Sequence, residues 1–172
     1  MVEFDFDAKR EEKLKSELRR ILGPGVEKAF KGRRALFADG KITEVFLVDK
    51  TVEKTVGSMK SNPYSAGLFA AKVVGKKVRP SLQLLHNIDF QNVVVVGPKA
   101  EQRFLYGKHL TSRDVIWSSG LLGGETVVVC NESDETLGYG RALTNSDIMK
   151  RLGKEEVVRN LDDLGWYLRH GG

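Results

Sequence analysis

Leu14, Leu18, Ile21 and Leu22 recur at three- and four-residue spacing, and neither Gly nor Pro interrupts Ala8 to Leu22. This periodicity predicts a helix over 8–22, capped by Asp7 and ended by Gly23-Pro24-Gly25. Two β-type runs follow, Ala35-Leu36-Phe37 and Ile42 to Val48, with Asp39-Gly40 between them, which reads as a hairpin. Asp49 is placed to cap a second helix from Lys50 to Met59, closed by the turn residues Asn62-Pro63-Tyr64. Strands are expected at Leu68 to Val74 and at Leu82 to His86, on either side of a basic turn, Gly75-Lys76-Lys77-Val78-Arg79-Pro80.

The pattern changes at Asn92. Val93-Val94-Val95-Val96 is a continuous apolar strand, Gly97-Pro98 breaks it, and Lys99 to Tyr106 resumes at helical spacing with Phe104 and Leu105 as core candidates. Short, glycine-bounded strands are expected at Val115-Ile116-Trp117, Glu125 to Cys130, Leu137 to Leu143 and Val157-Val158, the pattern of a small barrel. Leu161, Leu164 and Leu168 predict a short closing helix over 161–169. The chain therefore divides into an N-terminal α/β domain, 1–92, and a barrel, 93–172.

Composition agrees with two small packed domains: 172 residues, 41% hydrophobic and 30% charged. No apolar run approaches the roughly 18 residues of a membrane span, and the acidic start lacks the layout of a signal peptide. Cys130 is the single cysteine, which excludes an internal disulfide and multi-cysteine zinc sites and points to a reducing compartment. The net charge of +5 raises nucleic-acid binding as a function class, although the halves differ. Residues 1–92 hold 18 Lys/Arg against 12 Asp/Glu, whereas 93–172 hold 10 against 11. Any anion site in the second half must be a local cluster.

Catalytic templates find nothing. Gly138-Tyr-Gly140 lacks the third glycine of a dinucleotide loop and reads as a bulge or close backbone approach within a strand. Gly120-Leu-Leu-Gly123-Gly124 leads into a strand and reads as a plain loop. His86, His109 and His170 have no paired metal-ligand spacing, Cys130 reads as a core thiol, and Asp162-Asp163 reads as the acidic start of the closing helix. No catalytic residue, metal or cofactor is expected.

The informative features are basic. Lys150, Arg151 and Lys154 lie within five residues and suit backbone phosphates, the arginine in bidentate fashion. Lys99, Arg103 and Lys108 bracket Tyr106, which stacks a base if exposed, though a tyrosine there is more often core. Lys76, Lys77 and Arg79 read as decoration of a turn, and the mixed charges of the first helix as a solvated face.

The run Gly124-Glu-Thr-Val-Val-Val-Cys-Asn, then Thr136-Leu-Gly-Tyr-Gly-Arg-Ala-Leu and Ser146-Asp-Ile, resembles a PUA domain, an RNA-binding module. Together with Lys99-Ala-Glu-Gln-Arg-Phe-Leu-Tyr-Gly-Lys-His-Leu and Asp163-Leu-Gly-Trp-Tyr-Leu-Arg-His170, it resembles the nuclear import protein seven family of large-subunit ribosome-biogenesis factors. Ala71-Lys-Val and Val78-Arg-Pro-Ser-Leu resemble an archaeal member. The resemblance implies an α+β protein, an N-terminal mixed α/β domain followed by a C-terminal PUA-type β-barrel. It implies a non-enzymatic RNA-binding factor in pre-rRNA processing and large-subunit assembly, cytoplasmic in a cell without a nucleus. Its partners would be single-stranded pre-rRNA and assembly factors or exosome subunits, with no membrane. RNA contacts are expected from Arg103 and Lys108 and, by analogy with archaeal members, from Lys150, Arg151 and Lys154. Two alternatives stand beside it: an accessory to an RNA-modifying enzyme, and a module that binds only protein.

Overall fold

The computed structural model describes residues 3–59, 63, 65–165 and 169. It separates into two compact units, Met1–Asp89 and Phe90–Gly172. The first is a five-stranded antiparallel sheet in the order β1-β2-β3-β4-β5: β1 (Glu3–Asp5), β2 (Arg33–Asp39), β3 (Thr43–Asp49), β4 (Leu68–Val74) and β5 (Lys77–Pro80). Helix α1 (Ala8–Leu22) starts where the Asp7 carboxylate accepts the N–H groups of Lys9 and Arg10, and buries Leu14, Leu18 and Leu22. The Asp49 carboxylate caps α3 (Lys50–Ser58) in the same way.

Strands β2 and β3 are buried on both faces, which is why they read as unbroken apolar runs. Leu36, Ala38, Phe46 and Val48 share one face with Val52 and Val56 of α3. Ala35, Phe37, Val45 and Leu47, alternating with them, fill the other face.

Three sequence expectations need correction. Leu82 to His86 is not a strand but a short helix, α4 (Leu82–Leu85), because Ser81 Oγ accepts the Leu84 N–H at 3.0 Å and so caps a turn of helix. The strand lies earlier: β5 occupies most of the supposed basic turn and leaves only Gly75-Lys76 to reverse the chain. Between α1 and β2 the sequence reading also missed α2 (Val26–Phe30), whose Val26, Ala29 and Phe30 are buried. Of the turn expected at Asn62-Pro63-Tyr64, Asn62 and Tyr64 lie outside the described residues.

The second unit is a six-stranded, nearly closed sheet, β7-β11-β10-β9-β6-β8. Its elements are β6 (Val93–Val96), α5 (Pro98–Leu105), β7 (Leu110–Thr111), β8 (Val115–Ser118), β9 (Thr126–Asn131), β10 (Thr136–Ala142), α6 (Ser146–Met149) and β11 (Glu156–Asp163), with a single 3-10 turn at Ser112–Asp114. Val94, Val96, Phe104, Val127, Val129 and Leu137 lie in its interior.

The start of the expected closing helix over 161–169 is the third correction, whereas Arg169 at its end is helical, its N–H donating to the Gly165 carbonyl at 3.2 Å. β11 runs on through Asp163, so Leu161 is an exposed strand residue and Asp162-Asp163 end a strand. Asp163 is 2% exposed and paired with Arg169 at 2.8 Å. Leu168 and His170 are outside the described residues. Among the described residues, no helix is long and apolar enough to cross a membrane.

Candidate nucleic-acid interface

Helix α5 opens with Pro98 in its first turn, where the missing N–H costs nothing. Ala100 and Phe104 face the barrel core, which leaves Lys99 and Arg103, four residues apart, exposed. Arg103 is not a free cation. Its guanidinium donates to Asp114 Oδ1 at 3.0 Å and Oδ2 at 3.3 Å. The same carboxylate accepts the Thr111 N–H at 2.7 Å and the Thr111 hydroxyl at 2.8 Å, closing a capping box over the 3-10 turn.

Tyr106 follows as the C-cap of α5 and is 66% exposed. The expectation that it is core fails because Phe104 has already taken the inward position at the end of the helix. The phenol ring is thus available for stacking. Lys108, two residues on, is exposed.

The other basic set lies on the connection from α6 to β11. Met149 is fully buried in the barrel and Leu152 packs against the same core, so the connection is anchored from beneath. Lys150 is the C-cap of α6, the Arg151 N–H returns to the Ile148 carbonyl at 2.8 Å, and Gly153 turns the chain at φ +60°. Lys150, Arg151 and Lys154 stand exposed, and none has an acidic partner among the described residues. They do not share a helical face, since α6 ends at Met149.

One short segment ties the two sets together. The Ser112 hydroxyl donates to the Met149 carbonyl, and the Ser112 N–H donates to the Glu155 carbonyl at 3.1 Å. Asp114, two residues later, holds Arg103. The 3-10 turn is therefore bonded to both basic segments, and between its two anchors stands Arg113, exposed and with no ion pair among the described residues. The sequence reading passed over Arg113 because it has no basic neighbour in the chain. The Thr111-x-x-Asp114 spacing was the available signal: it marks a capped turn that presents its middle residues to solvent.

The remaining candidates resolve into packing. Had Gly138 and Gly140 Cβ atoms, these would lie 2.2 Å from the Asp162 carbonyl oxygen and 2.5 Å from that of Arg159, which is the close backbone approach expected there. Gly123 and Gly124 form a turn leading into β9. His86 is exposed, while His109 Nδ1 accepts the Asn160 N–H at 3.2 Å. Burial pushes the Cys130 thiol up from its ordinary value, and Thr136 Oγ1 lies 4.0 Å from the sulfur. Among the described residues no group of His, Cys, Asp and Glu is placed to hold a metal.

Family models match both units. The model described as "NIP7/UPF0113, pre-PUA domain" covers residues 5–82, and the one described as "UPF0113 PUA domain" covers 92–172. A UPF0113 protein of Archaeoglobus fulgidus is 36% identical over 140 residues, 78% of each chain. A UPF0113 protein of Aeropyrum pernix is 30% identical over 168 residues, 95% of this chain and 90% of the relative. Among solved structures, a conserved PUA domain protein from Thermoplasma acidophilum superposes with a TM-score of 0.68 at 17% identity, covering 96% of this chain and 97% of that one. A PUA domain structure from Aeropyrum pernix gives 0.65 at 18% identity, covering 98% and 89%.

Proposed function

The chain belongs to the NIP7/UPF0113 family and carries its PUA domain, and from that premise we propose that it is an RNA-binding, non-enzymatic factor in ribosome assembly. The observation that carries the reading is the run of unpaired cations on the barrel, Lys150, Arg151 and Lys154, bonded through Ser112 to the segment that ends at Arg113 and Asp114. Point charges and a guanidinium on an anchored connection bind phosphates with little sequence reading, and exposed Tyr106 adds a stacking face. Single-stranded RNA suits this arrangement better than a duplex, because unstacked bases are open to a tyrosine ring and the deep major groove of A-form RNA is not.

In this reading residues 93–172 dock RNA and residues 1–92 present a protein-binding face. The RNA is pre-rRNA of the large subunit, the partners are assembly factors or exosome subunits, and the work is cytoplasmic. Lys99, Lys108 and Tyr106 extend the contact; Arg103 chiefly holds the 3-10 turn in place.

The test is a fluorescence titration of single-stranded rRNA fragments at several salt concentrations, beside a K150A/R151A/K154A variant. Support is micromolar or tighter binding that weakens with salt and drops in the folded variant. Wild type that binds no RNA at low salt overturns the proposal and turns attention to acidic protein partners.

A further inference from the structure

Arg141 and Arg159 are direct register partners on the adjacent antiparallel strands β10 and β11. Both side chains are exposed, and neither has a carboxylate within ion-pair distance among the described residues. Opposed residues of antiparallel strands hold their Cα atoms only about 4.5–5.5 Å apart, and like charges in that position repel and destabilise the sheet. At the neighbouring rung Gly140 lets the backbones approach closely, next to a register shift between Tyr139 and Gly140. The acidic residues of β11 lie opposite neither arginine: Glu156 is in register with Thr111, Asp162 with Tyr139 and Asp163 with Gly138. Among the described residues the sheet thus carries two guanidinium groups at opposed strand positions with no ion-pair partner.

Their place relates them to the basic surface already described. His109, beside Lys108, accepts the N–H of Asn160, the residue after Arg159. Lys154 precedes Arg159 by five residues, a span of at most about 17 Å of chain. Two planar donors facing outward from opposed strand positions match a tetrahedral anion that accepts bidentate bonds from each.

We propose that Arg141 and Arg159 form a clasp for one backbone phosphate of the bound RNA, distinct from the Lys150, Arg151 and Lys154 connection. The clasp rests on the RNA-binding reading and adds a second point of attachment on the strand surface. An anion between the guanidinium groups turns their repulsion into two attractions, so ligand binding and local sheet stability are coupled.

The experiment compares wild type, R141Q/R159Q and K150A/R151A/K154A in titrations with a fluorescent single-stranded RNA oligonucleotide across a salt series, with thermal melts of the free proteins. For R141Q/R159Q the expected result is weaker binding and a slope of log K against log salt shallower by about 0.7, the value for one phosphate on a single strand. At low salt the free R141Q/R159Q variant should melt at or above the wild-type temperature, since a repulsion has been removed. Wild-type binding with unchanged affinity and slope in R141Q/R159Q overturns the clasp and leaves the RNA reading standing. A free variant that melts below wild type also overturns it, because the arginines would then have a neutralising partner in the free protein. Wild type that binds no RNA overturns both proposals together.

Discussion

The two halves of the chain carry charge in opposite ways. The N-terminal unit has the larger net positive charge but spends much of it internally: Arg10 pairs with Asp39, Lys15 with Glu27, Lys28 with Asp89, Arg34 with Glu53 and Lys72 with Glu44. Several of these cations also lie over aromatic rings, Arg10 over Phe37 at 4.2 Å and Arg34 over Phe6 at 5.1 Å. The barrel half is nearly neutral by count, yet among its described residues only Arg103 and Arg169 are in ion pairs. Its acids serve the backbone instead: Asp114 caps Thr111, and Glu125 accepts the Leu122 N–H at 2.8 Å. A larger share of the barrel's described cations is therefore unpaired, although Lys9, Lys13, Lys76, Lys77 and Arg79 of the N-terminal unit are also in no ion pair among the described residues. The local grouping of free cations, not their total, marks the candidate interface.

The largest effect that sharpens this contrast comes from Asp163, a deeply buried ion of the barrel. Asp163 accepts two hydrogen bonds from Arg169 and one from Asn160 Nδ2 at 2.9 Å, while Arg169 also donates to the Leu105 carbonyl. Replacing Asp163 with Ala leaves the guanidinium, itself about a quarter exposed, and Asn160 Nδ2 without their carboxylate, and losing these charge-assisted hydrogen bonds costs about 2–3 kcal/mol. Urea denaturation should show the midpoint falling by that equivalent with the slope unchanged. A loss below about 1 kcal/mol would place Asp163 with the exposed pairs of the other half.

Next in size is the effect of removing free cations. K150A/R151A/K154A should flatten the salt slope of RNA binding by about 2 units, at roughly 0.7 for each lost phosphate contact, with stability changed by no more than about 0.5 kcal/mol. The matched control is K15A/K28A/K72A in the N-terminal unit, which lowers the net charge by the same three but removes only paired cations. Its salt slope should equal that of wild type. An equal fall in both variants would mean that overall field, not local availability, governs binding.

Much of this organisation is legible in the sequence, and the exceptions are physical. The Asp7 and Asp49 caps, the hairpin around Asp39-Gly40 and the apolar run at 93–96 depend on neighbours in the chain, so pattern alone finds them. Leu82-Gln-Leu-Leu is too short for periodicity to separate strand from helix, and the Ser81 cap decides it. β11 was mistaken at its end because Leu161 and Leu164 mimic helical spacing while β10 supplies the hydrogen-bonding partner from far away in the chain. At the candidate interface the Lys150, Arg151 and Lys154 cluster is visible as a run. Arg141 and Arg159, eighteen positions apart, meet only through strand pairing, and Arg103 looks free until Asp114 folds back onto it.

The smallest effect lies in the best-formed surface pair of the N-terminal unit. Arg10 makes two hydrogen bonds to Asp39, at 2.7 and 2.8 Å, and the Thr43 hydroxyl adds a third at 2.7 Å. The hydrogen bond from Arg10 holds the Asp39 carboxyl below the usual carboxylate range against the opposing effect of partial burial, with the Thr43 bond and the Arg10 charge assisting. A carboxylate depressed in the folded state contributes stability that is fully present above its unfolded value and is lost as pH falls through its folded one. Both side chains remain more than a third exposed, 36% and 39%, so solvent screening keeps the contribution under about 1 kcal/mol. Asp39→Asn should therefore be slightly less stable than wild type at pH 7, and the gap should close below about pH 4, near the ordinary carboxylate value, as the wild-type carboxyl takes up its proton. The substitution frees the Arg10 charge, yet RNA affinity should not change, because Arg10 lies outside the proposed RNA surface of residues 93–172. A gap that widens on acidification would reverse the sign of the linkage, and a change in RNA binding would mean that cations of the N-terminal unit also reach the ligand.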